Sequence, residues 1–272
     1  MQDRASNLRL LARRFVHGLL PHDRKAELRR LYNRATWWIY AGHGVSCNCC
    51  GGNFRRFRAW TYHDGHRALM CPRCGSLGRL RVDWLYLSEH TDLLERPQRL
   101  LHVAPEIALQ IPLRRIPGLE YLSADYDSKL AMERMDITAI AHPDSSFDAI
   151  ICNHVLQHVE EDEKAMRELF RVLAPGGWAL IQSPVDPSRA QTRETADRES
   201  QSGPTLASSD DVHLRTYGRD YVERLKRAGF AVTASDFARN RPAEAQRQLG
   251  LDPDETIYFC RKPELSEGVA DN

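Results

Sequence analysis

Five of the seven cysteines crowd into one stretch, at 47, 49, 50, 71 and 74, while Cys152 and Cys260 stand alone. Taken as Cys47 with Cys50 and Cys71 with Cys74, they form two C-x2-C knuckles, each followed by a glycine, Gly51 or Gly75. Such a turn presents two thiolates at adjacent corners of a tetrahedron, so two knuckles supply a complete set of ligands for one zinc ion. Four thiolates leave no corner for an activated water, and the expected metal role is therefore structural. Cys49 is the spare. It is either an unliganded neighbour or a replacement for Cys47, although C-x-C and C-C pairs fit a knuckle less well. An odd count and this clustering do not describe a disulfide framework. A dithiol exchange site would want a thioredoxin-like strand and helix around the pair, which neither knuckle has.

A second set of candidates follows segments that read as strands. Asp125 stands directly after the apolar run Leu119 to Ala124. A carboxylate at the tip of a second strand can accept ribose hydroxyls of an adenosine cofactor, whether nicotinamide or S-adenosylmethionine. The first turn discriminates between them. A nicotinamide site wants G-x-G-x-x-G to seat a pyrophosphate, but here the turn reads His102-Val103-Ala104-Pro105-Glu106 without a glycine. Glu106 at the start of a helix repels phosphate and attracts an ammonium or sulfonium, which favours a cationic cofactor.

These residues need a frame, and the chain beyond residue 82 supplies alternating strand and helix patterns. Strands are expected at Arg99 to Val103, Leu119 to Ala124, Phe147 to Cys152, Trp178 to Gln182 and Thr256 to Cys260. Helices are expected at Glu106 to Arg115, Asp162 to Leu173 and Gly218 to Ala228. In the second of these, Ala165, Met166, Leu169, Phe170 and Leu173 make an inward face, acids crowd the first turn, and Pro175-Gly176-Gly177 stops it. The expected fold is α/β, a doubly wound, Rossmann-like sheet whose ligands bind beyond the carboxyl ends of its strands. In front of it, Leu8, Leu11, Phe15 and Leu19 suggest one helix, and Pro21 opens a second containing Leu28, Leu31 and Tyr32. Both stripes are expected to pack on the zinc module or the α/β unit, as is Trp37-Trp38-Ile39-Tyr40.

Several segments then match a family pattern in order and spacing: Leu122-Ser-Ala-Asp-Tyr-Asp127, Met135-Asp-Ile-Thr138, Phe147-Asp-Ala-Ile-Ile-Cys-Asn-His-Val-Leu-Gln-His-Val159 and Leu169-Phe-Arg-Val-Leu-Ala-Pro-Gly-Gly177. Over about residues 83 to 262 the chain resembles class I S-adenosylmethionine-dependent methyltransferases. More narrowly it resembles bacterial members with an amino-terminal four-cysteine knuckle pair and a His-x-Ala-Pro-Glu first turn, here His102, Ala104 and Glu106. The broad family's glycine-rich first turn is missing. The resemblance implies that Asp125 holds the ribose, that Asp136 and Ile137 flank the adenine, and that Asn153 and His154 face the methyl-transfer site. Each has a plainer alternative: Asp136 capping a turn, Asn153 satisfying loop backbone, His154 and His158 packed. For His158 packing is preferred, because H-V-L-Q-H lacks the glutamate of the zincin pattern.

Residues 185–212 are polar and poor in apolar anchors, as expected of a lid or a disordered segment. After them, His213-Leu-Arg-Thr-Tyr-Gly218 resembles the family's Asp-His-x-Arg-x-Tyr-Gly segment, with Val212 where the aspartate would stand and Asp211 as an alternative partner for the histidine. His213, Arg215 and Tyr217 alternate, so in an extended stretch all three project to one side. On the functional reading His213, or else His154, is the general base, Arg215 holds an anionic or carbonyl group and Tyr217 packs on the acceptor. The other reading is a half-exposed strand edge.

Composition sets the remaining bounds. A chain of 272 residues with 42% apolar and 28% charged residues can fill a sizeable core, which excludes a mainly disordered protein. No apolar stretch approaches the roughly 18 residues of a membrane span, and the first residues lack a secretory h-region, so a cytoplasmic protein is the expectation. The net charge of +1 conceals a basic front, residues 1–82, with 16 Lys and Arg against four acids. Such a basic front suits an anionic partner or the chain's own acidic remainder. The expected organisation is a basic helical arm (1–42), a zinc module (43–82), a methyltransferase domain (83–262) and a tail (263–272). The expected activity is methyl transfer from S-adenosylmethionine to an O or N nucleophile of a small-molecule or glycan acceptor. RNA methylation through a nucleic-acid-binding front, with Arg55, Arg56 and Arg58 in contact, and a non-catalytic zinc-ribbon adaptor are the competing readings; a dehydrogenase is third.

Overall fold

A computed structural model describes residues 22–61, 67–128, 131–195 and 213–264. The first expected helix, most of the 185–212 segment and nearly all of the tail lie outside these residues. The described chain opens on α1 (His22–Thr36), followed by a 3-10 turn at Trp37–Tyr40. Two hairpins follow: β1 (Ala41–Cys47) with β2 (Gly52–Phe54), and β3 (Arg58–Thr61) with β4 (Arg67–Met70). Next come α2 (Gly78–His90), β5 (Gln98–Val103), α3 (Ile107–Leu113), β6 (Leu119–Asp125), β7 (Glu133–Arg134) and β8 (Phe147–Asn153). The chain continues through α4 (Asp162–Val172), β9 (Leu173–Gln182), the short β10 (Arg193–Glu194) and β11 (Arg215–Thr216), and α5 (Tyr221–Arg227). It closes with β12 (Ala231–Ser235), α6 (Ala243–Leu249) and β13 (Ile257–Arg261).

Seven strands form the main sheet, in the order β12-β13-β9-β8-β5-β6-β7. The five from β9 to β7 run parallel, and β13 is antiparallel to both β9 and β12. The chain winds outward from β5 through β6 to β7, then returns to place β8 on the other side of β5. The switch point therefore lies between β5 and β8, where a doubly wound sheet opens a crevice at its carboxyl edge.

Both faces of the central strands are covered, which is why they read as near-continuous apolar runs. Leu100, Ala149, Ile151, Trp178 and Leu180 face one core, and Leu101, Ile150, Cys152, Ala179 and Ile181 face the other, following the two-residue period of a strand. The second core takes Ala165, Met166 and Leu169 of α4. Leu173, expected on that helix, instead opens β9, because the helix ends at Val172 before the Pro175-Gly176-Gly177 segment. The first core takes in Cys47, Cys50, Phe54, Phe57 and Cys71, so the cysteine module and the sheet share one apolar interior. Helix α2 runs through residue 82, the expected boundary between them.

The stripe on α1 differs from expectation: Leu28, Leu31 and Tyr32 are exposed and Asn33 is buried in their place. Asn33 accepts a hydrogen bond from Arg58 at 3.0 Å, and this polar contact fixes the helix's inward side. Trp37 and Tyr40 pack against the core as expected, whereas Trp38 and Ile39 face outward.

Candidate functional site

The two knuckles fold alike. Gly51 donates its N–H to the Cys47 carbonyl at 2.8 Å and Gly75 to that of Cys71 at 3.0 Å. Both glycines are left-handed, with φ of 70° and 78°, a conformation that a side chain would strain. The turns bring the sulfur atoms of Cys47, Cys50, Cys71 and Cys74 within 4.8 Å of one another. Sγ of Cys47 is 3.7 Å from that of Cys74, and Sγ of Cys50 is 3.8 Å from that of Cys71. Tetrahedral zinc with thiolates at about 2.3 Å places its sulfurs about 3.8 Å apart, so donor type and spacing both fit that ion. Contact with neighbouring sulfurs pulls the Cys47 thiol far down, Cys49 acting most strongly, and pushes Cys71 far up, Cys47 acting most strongly. Cys49 stands outside the quartet: it is buried, its thiol points at the Leu80 carbonyl at 3.6 Å, and burial raises it well above the ordinary thiol range.

At the crevice, β5 ends in the fully buried His102, with Nδ1 3.0 Å from the Tyr121 hydroxyl and Nε2 3.0 Å from the Glu106 carboxylate. Glu106 thus reaches back to His102 from the N-cap of α3. Between them Ala104 is left-handed, with φ of 46°, and gives its N–H to the Ala124 carbonyl at 2.8 Å. The turn keeps the backbone path that glycine adopts freely, and the extra methyl makes it strained.

Asp125 sits at the tip of β6. Its Oδ1 accepts the backbone N–H groups of Asp127 at 2.8 Å and Ser128 at 2.7 Å, a turn that fixes the carboxylate's direction. Met135 donates to the Asp125 carbonyl at 2.9 Å, which lays the 135–138 segment beside that tip. There Ile137 is buried and Asp136 is exposed, accepting both the backbone N–H and the hydroxyl of Thr138 at 2.8 Å. The Thr138 N–H holds the Asp136 carboxyl below its usual range.

On the other side of the switch point, Asn153 ends β8 buried, with its Nδ2 donating to Asp83 Oδ2 of α2 at 3.1 Å. Oδ1 of Asn153 and Oδ1 of Asp83 are both buried without a hydrogen-bond partner among the described residues. Next in sequence, His154 is left-handed, with φ of 55°, its N–H bound to the Gln182 carbonyl at 2.9 Å and its Nε2 buried without a partner among the described residues. Burial, with Arg79, His213 and His158 adding to it, holds His154 well below the ordinary imidazole range, so it stays neutral. Gln182, the strand partner of Asn153, donates to Glu255 at 3.1 Å and to the Thr256 carbonyl at 3.0 Å. Burial pushes Glu255 up to about 7.

The segment after the expected lid separates its three alternating residues. His213 is exposed, its ring 5.0 Å from that of His158. Arg215 is buried and donates to the carbonyls of Leu156, Val159 and Glu160 and to Glu194. Tyr217 is fully buried, and its hydroxyl donates to Asp162 at 2.7 Å. Arg215 and Tyr217 thus turn their polar groups inward, tying β11 to the start of α4, while His213 alone faces outward. Sequence reasoning missed Asp83, Gln182 and Glu255. The available signal was Asp83 itself, an acid inside the apolar run Val82-Asp83-Trp84-Leu85.

Comparison with known proteins fits this frame. Residues 117–181 match the family model described as a methyltransferase domain. A demethylmenaquinone methyltransferase of Thermus thermophilus is 30% identical over 135 residues, covering 41% of this chain and 61% of the relative. An ajmaline N-methyltransferase of Rauvolfia serpentina is 29% identical over 140 residues, covering 44% of this chain and 46% of the relative. The chain therefore spans less than two thirds of these relatives. The solved structure of an S-adenosylmethionine-dependent methyltransferase from Mesorhizobium loti is 18% identical, with a TM-score of 0.46 over 66% of this chain and 97% of that one. Within the α/β unit, residues 117–181 are thus similar to a methyltransferase domain.

Proposed function

We propose that this protein is an S-adenosylmethionine-dependent methyltransferase with a structural zinc module, acting on an O or N nucleophile of a small-molecule or glycan acceptor. The observation that carries the reading is the set of side chains gathered at the switch point. It has a fixed carboxylate, Asp125, on one side, and on the other the buried, unpartnered acceptor of Asn153 and ring nitrogen of His154. Buried polar atoms left without partners are costly unless a ligand meets them.

When bound, S-adenosylmethionine supplies an electrophilic methyl on a sulfonium, so the protein's share is alignment and proton removal. In this reading Asp125 takes a ribose hydroxyl through the oxygen its turn does not use. Ile137 packs against the adenine and Asp136 meets its amino group. His102, Ala104 and Glu106 shape the turn under the methionine portion, the His102 contact fixing the Glu106 carboxylate. Asn153 and His154 border the reacting centre. His213 receives the acceptor's proton, since its exposed ring suits that role better than neutral, buried His154 does. Arg215 and Tyr217 act as positioning residues by holding the segment that carries His213. Zinc held by Cys47, Cys50, Cys71 and Cys74 closes the module that braces α2. The organisation into arm, module, methyltransferase domain and tail is part of the same reading.

The test is to incubate the protein with methyl-labelled S-adenosylmethionine and fractionated cell extract. Label is expected in a low-molecular-weight or glycan fraction. Label confined to RNA, lost on neutralising Arg55, Arg56 and Arg58, would replace the acceptor reading, and an absence of S-adenosylhomocysteine binding would refute the activity.

A further inference from the structure

Three acids converge on the carboxyl ends of β8 and β9: Asp83 on α2, Glu106 at the head of α3 and Glu255 before β13. Asp83 meets Asn153 at 3.1 Å, Glu255 meets Gln182 at 3.1 Å, and Asn153 and Gln182 are register partners on adjacent strands. This polar row has an unbalanced hydrogen-bond account. Its buried atoms without partners among the described residues include two acceptors, Asp83 Oδ1 and Asn153 Oδ1, and the guanidinium of Arg79 acts on both Asp83 and Glu255. Asp83 and Asn153 are each more than nine-tenths buried. An acceptor left dry calls for a donor, and because three acids outnumber the guanidinium of Arg79, the two dry acceptors call for a further donor with positive charge.

The location separates this row from the adenosine. Asp125 stands on β6, and β5, β8 and β9 follow it across the sheet. Three strand spacings, about 14 Å, lie between the tip that would hold the ribose and the strand that carries Gln182. A cofactor anchored on β6 reaches across β5 toward β8, so the ground over β8 and β9 belongs to whatever receives the methyl group.

Resting on the methyltransferase reading, we propose that Asp83, Asn153 and Glu255 form the acceptor pocket and that the acceptor is an amine, bound as an ammonium and methylated on nitrogen. Asp83 and Asn153 are the floor, and half-buried Glu255 is the wall nearer solvent. For transfer, the ammonium gives a proton to the general base, His213 in the reading above, while Glu255 holds the cation in place. The freed nitrogen lone pair then forms the N–C bond while the C–S electron pair returns to sulfur, yielding an N-methylammonium and a neutral thioether. Burial, with Glu255 and Glu106 close by, pushes Asp83 well above the ordinary carboxyl range. Without a ligand that burial holds the Asp83 carboxyl neutral despite the Arg79 guanidinium, and a bound cation would bring back its charge.

The probe is ethylammonium, small enough to enter without regard to the rest of the acceptor. Protein saturated with S-adenosylhomocysteine is titrated with ethylammonium chloride, with sodium chloride at equal ionic strength and with ethanol, following the Asn153 side-chain amide by NMR. Only ethylammonium is expected to give a saturable shift. Asp83→Asn and Glu255→Gln are each expected to weaken it at least tenfold, with S-adenosylhomocysteine affinity within twofold of wild type. Equal response to ethanol, an ethylammonium preference surviving in both variants, or a fall in S-adenosylhomocysteine affinity alongside it would overturn the amine pocket; the last would place the cofactor's own ammonium there. Wild-type protein that binds no S-adenosylhomocysteine would remove the methyltransferase reading itself, a result distinct from the other three. Should Asp83→Asn not fold, the response of Glu255→Gln alone decides whether the amine pocket stands.

Discussion

Replacing Asp125 tests the cofactor reading most directly, because the structure divides the work of its two oxygens. Oδ1 accepts the backbone N–H groups of Asp127 and Ser128 and holds the turn. The ribose contact then falls to the other oxygen. Asp125→Asn keeps a carbonyl oxygen for the turn and replaces the remaining oxygen with an uncharged amide. It should therefore remove one charge-assisted hydrogen bond, worth about 1.5 to 3 kcal/mol, or about 10- to 150-fold in the affinity for S-adenosylhomocysteine. Asp125→Ala loses the turn as well and should cost a further 1 to 2 kcal/mol or so, now in stability. Calorimetric titration gives the affinities and thermal melts the stabilities. The expected pattern is weak binding in both variants with a lowered Tm only in Asp125→Ala. Asparagine at wild-type affinity would show that the adenosine does not lie on β6, and equal melting of both variants would show that the Asp125 turn adds nothing to stability.

The remaining predictions concern the metal, Glu255 and Tyr217. Purified protein is expected to carry about one zinc per chain, lost in Cys71→Ser and retained in Cys49→Ser, by elemental analysis. Glu255 is pushed up to about 7 from an ordinary 4.5, so the neutral carboxyl stabilises the fold fully below about pH 4.5 and this stabilisation is lost as pH rises to about 7. Wild type is expected to lose up to about 3 kcal/mol across that window relative to Glu255→Gln, measured by denaturant unfolding at several pH values; parallel curves would refute it. Tyr217→Phe removes the bond to Asp162 and is expected to cost about 1 to 2 kcal/mol of stability with S-adenosylhomocysteine affinity unchanged.

How far the sequence carries depends on whether a residue's partner is local. Helix α4 is legible because Ala165, Met166 and Leu169 repeat at helical spacing on one buried face. The central strands are legible because both their faces are dry. Helix α2 is hidden because two of its core-facing residues, Arg81 and Asp83, are charged and break the apolar period. Helix α6 has no buried residue among its seven, and β12 is a largely exposed edge, so neither carries a pattern. The alternation of His213, Arg215 and Tyr217 fits a pocket wall and a strand edge equally well. What decides it is Asp162 and the carbonyls of 156–160, more than fifty residues away in sequence. The knuckles are the opposite case, because their glycines, spacing and ligands all lie within one local stretch.

Helix α2 also links the cysteine quartet to the carboxyl end of β8. Arg81 is fully buried and gives hydrogen bonds to the carbonyls of Ser76, Leu69, Leu249 and Gly250, between 2.6 and 2.9 Å. Two residues on, Asp83 meets Asn153 at the end of β8. Ser76 in turn lies against two sulfurs of the quartet, 3.2 Å from Cys47 Sγ and 3.3 Å from Cys74 Sγ. One rigid helix thus joins the knuckles to the floor of the crevice, and neither end can shift alone. Arg81→Met takes a donor from each of four carbonyls, of which Ser76 keeps the N–H of Cys71, and is expected to cost about 3 to 5 kcal/mol and to lower zinc retention in chelator challenge. Zinc removal from wild type is expected to broaden the Asn153 side-chain resonance although no metal ligand touches it. Sharp, unshifted Asn153 signals in the metal-free protein would show that the module and the crevice are independent.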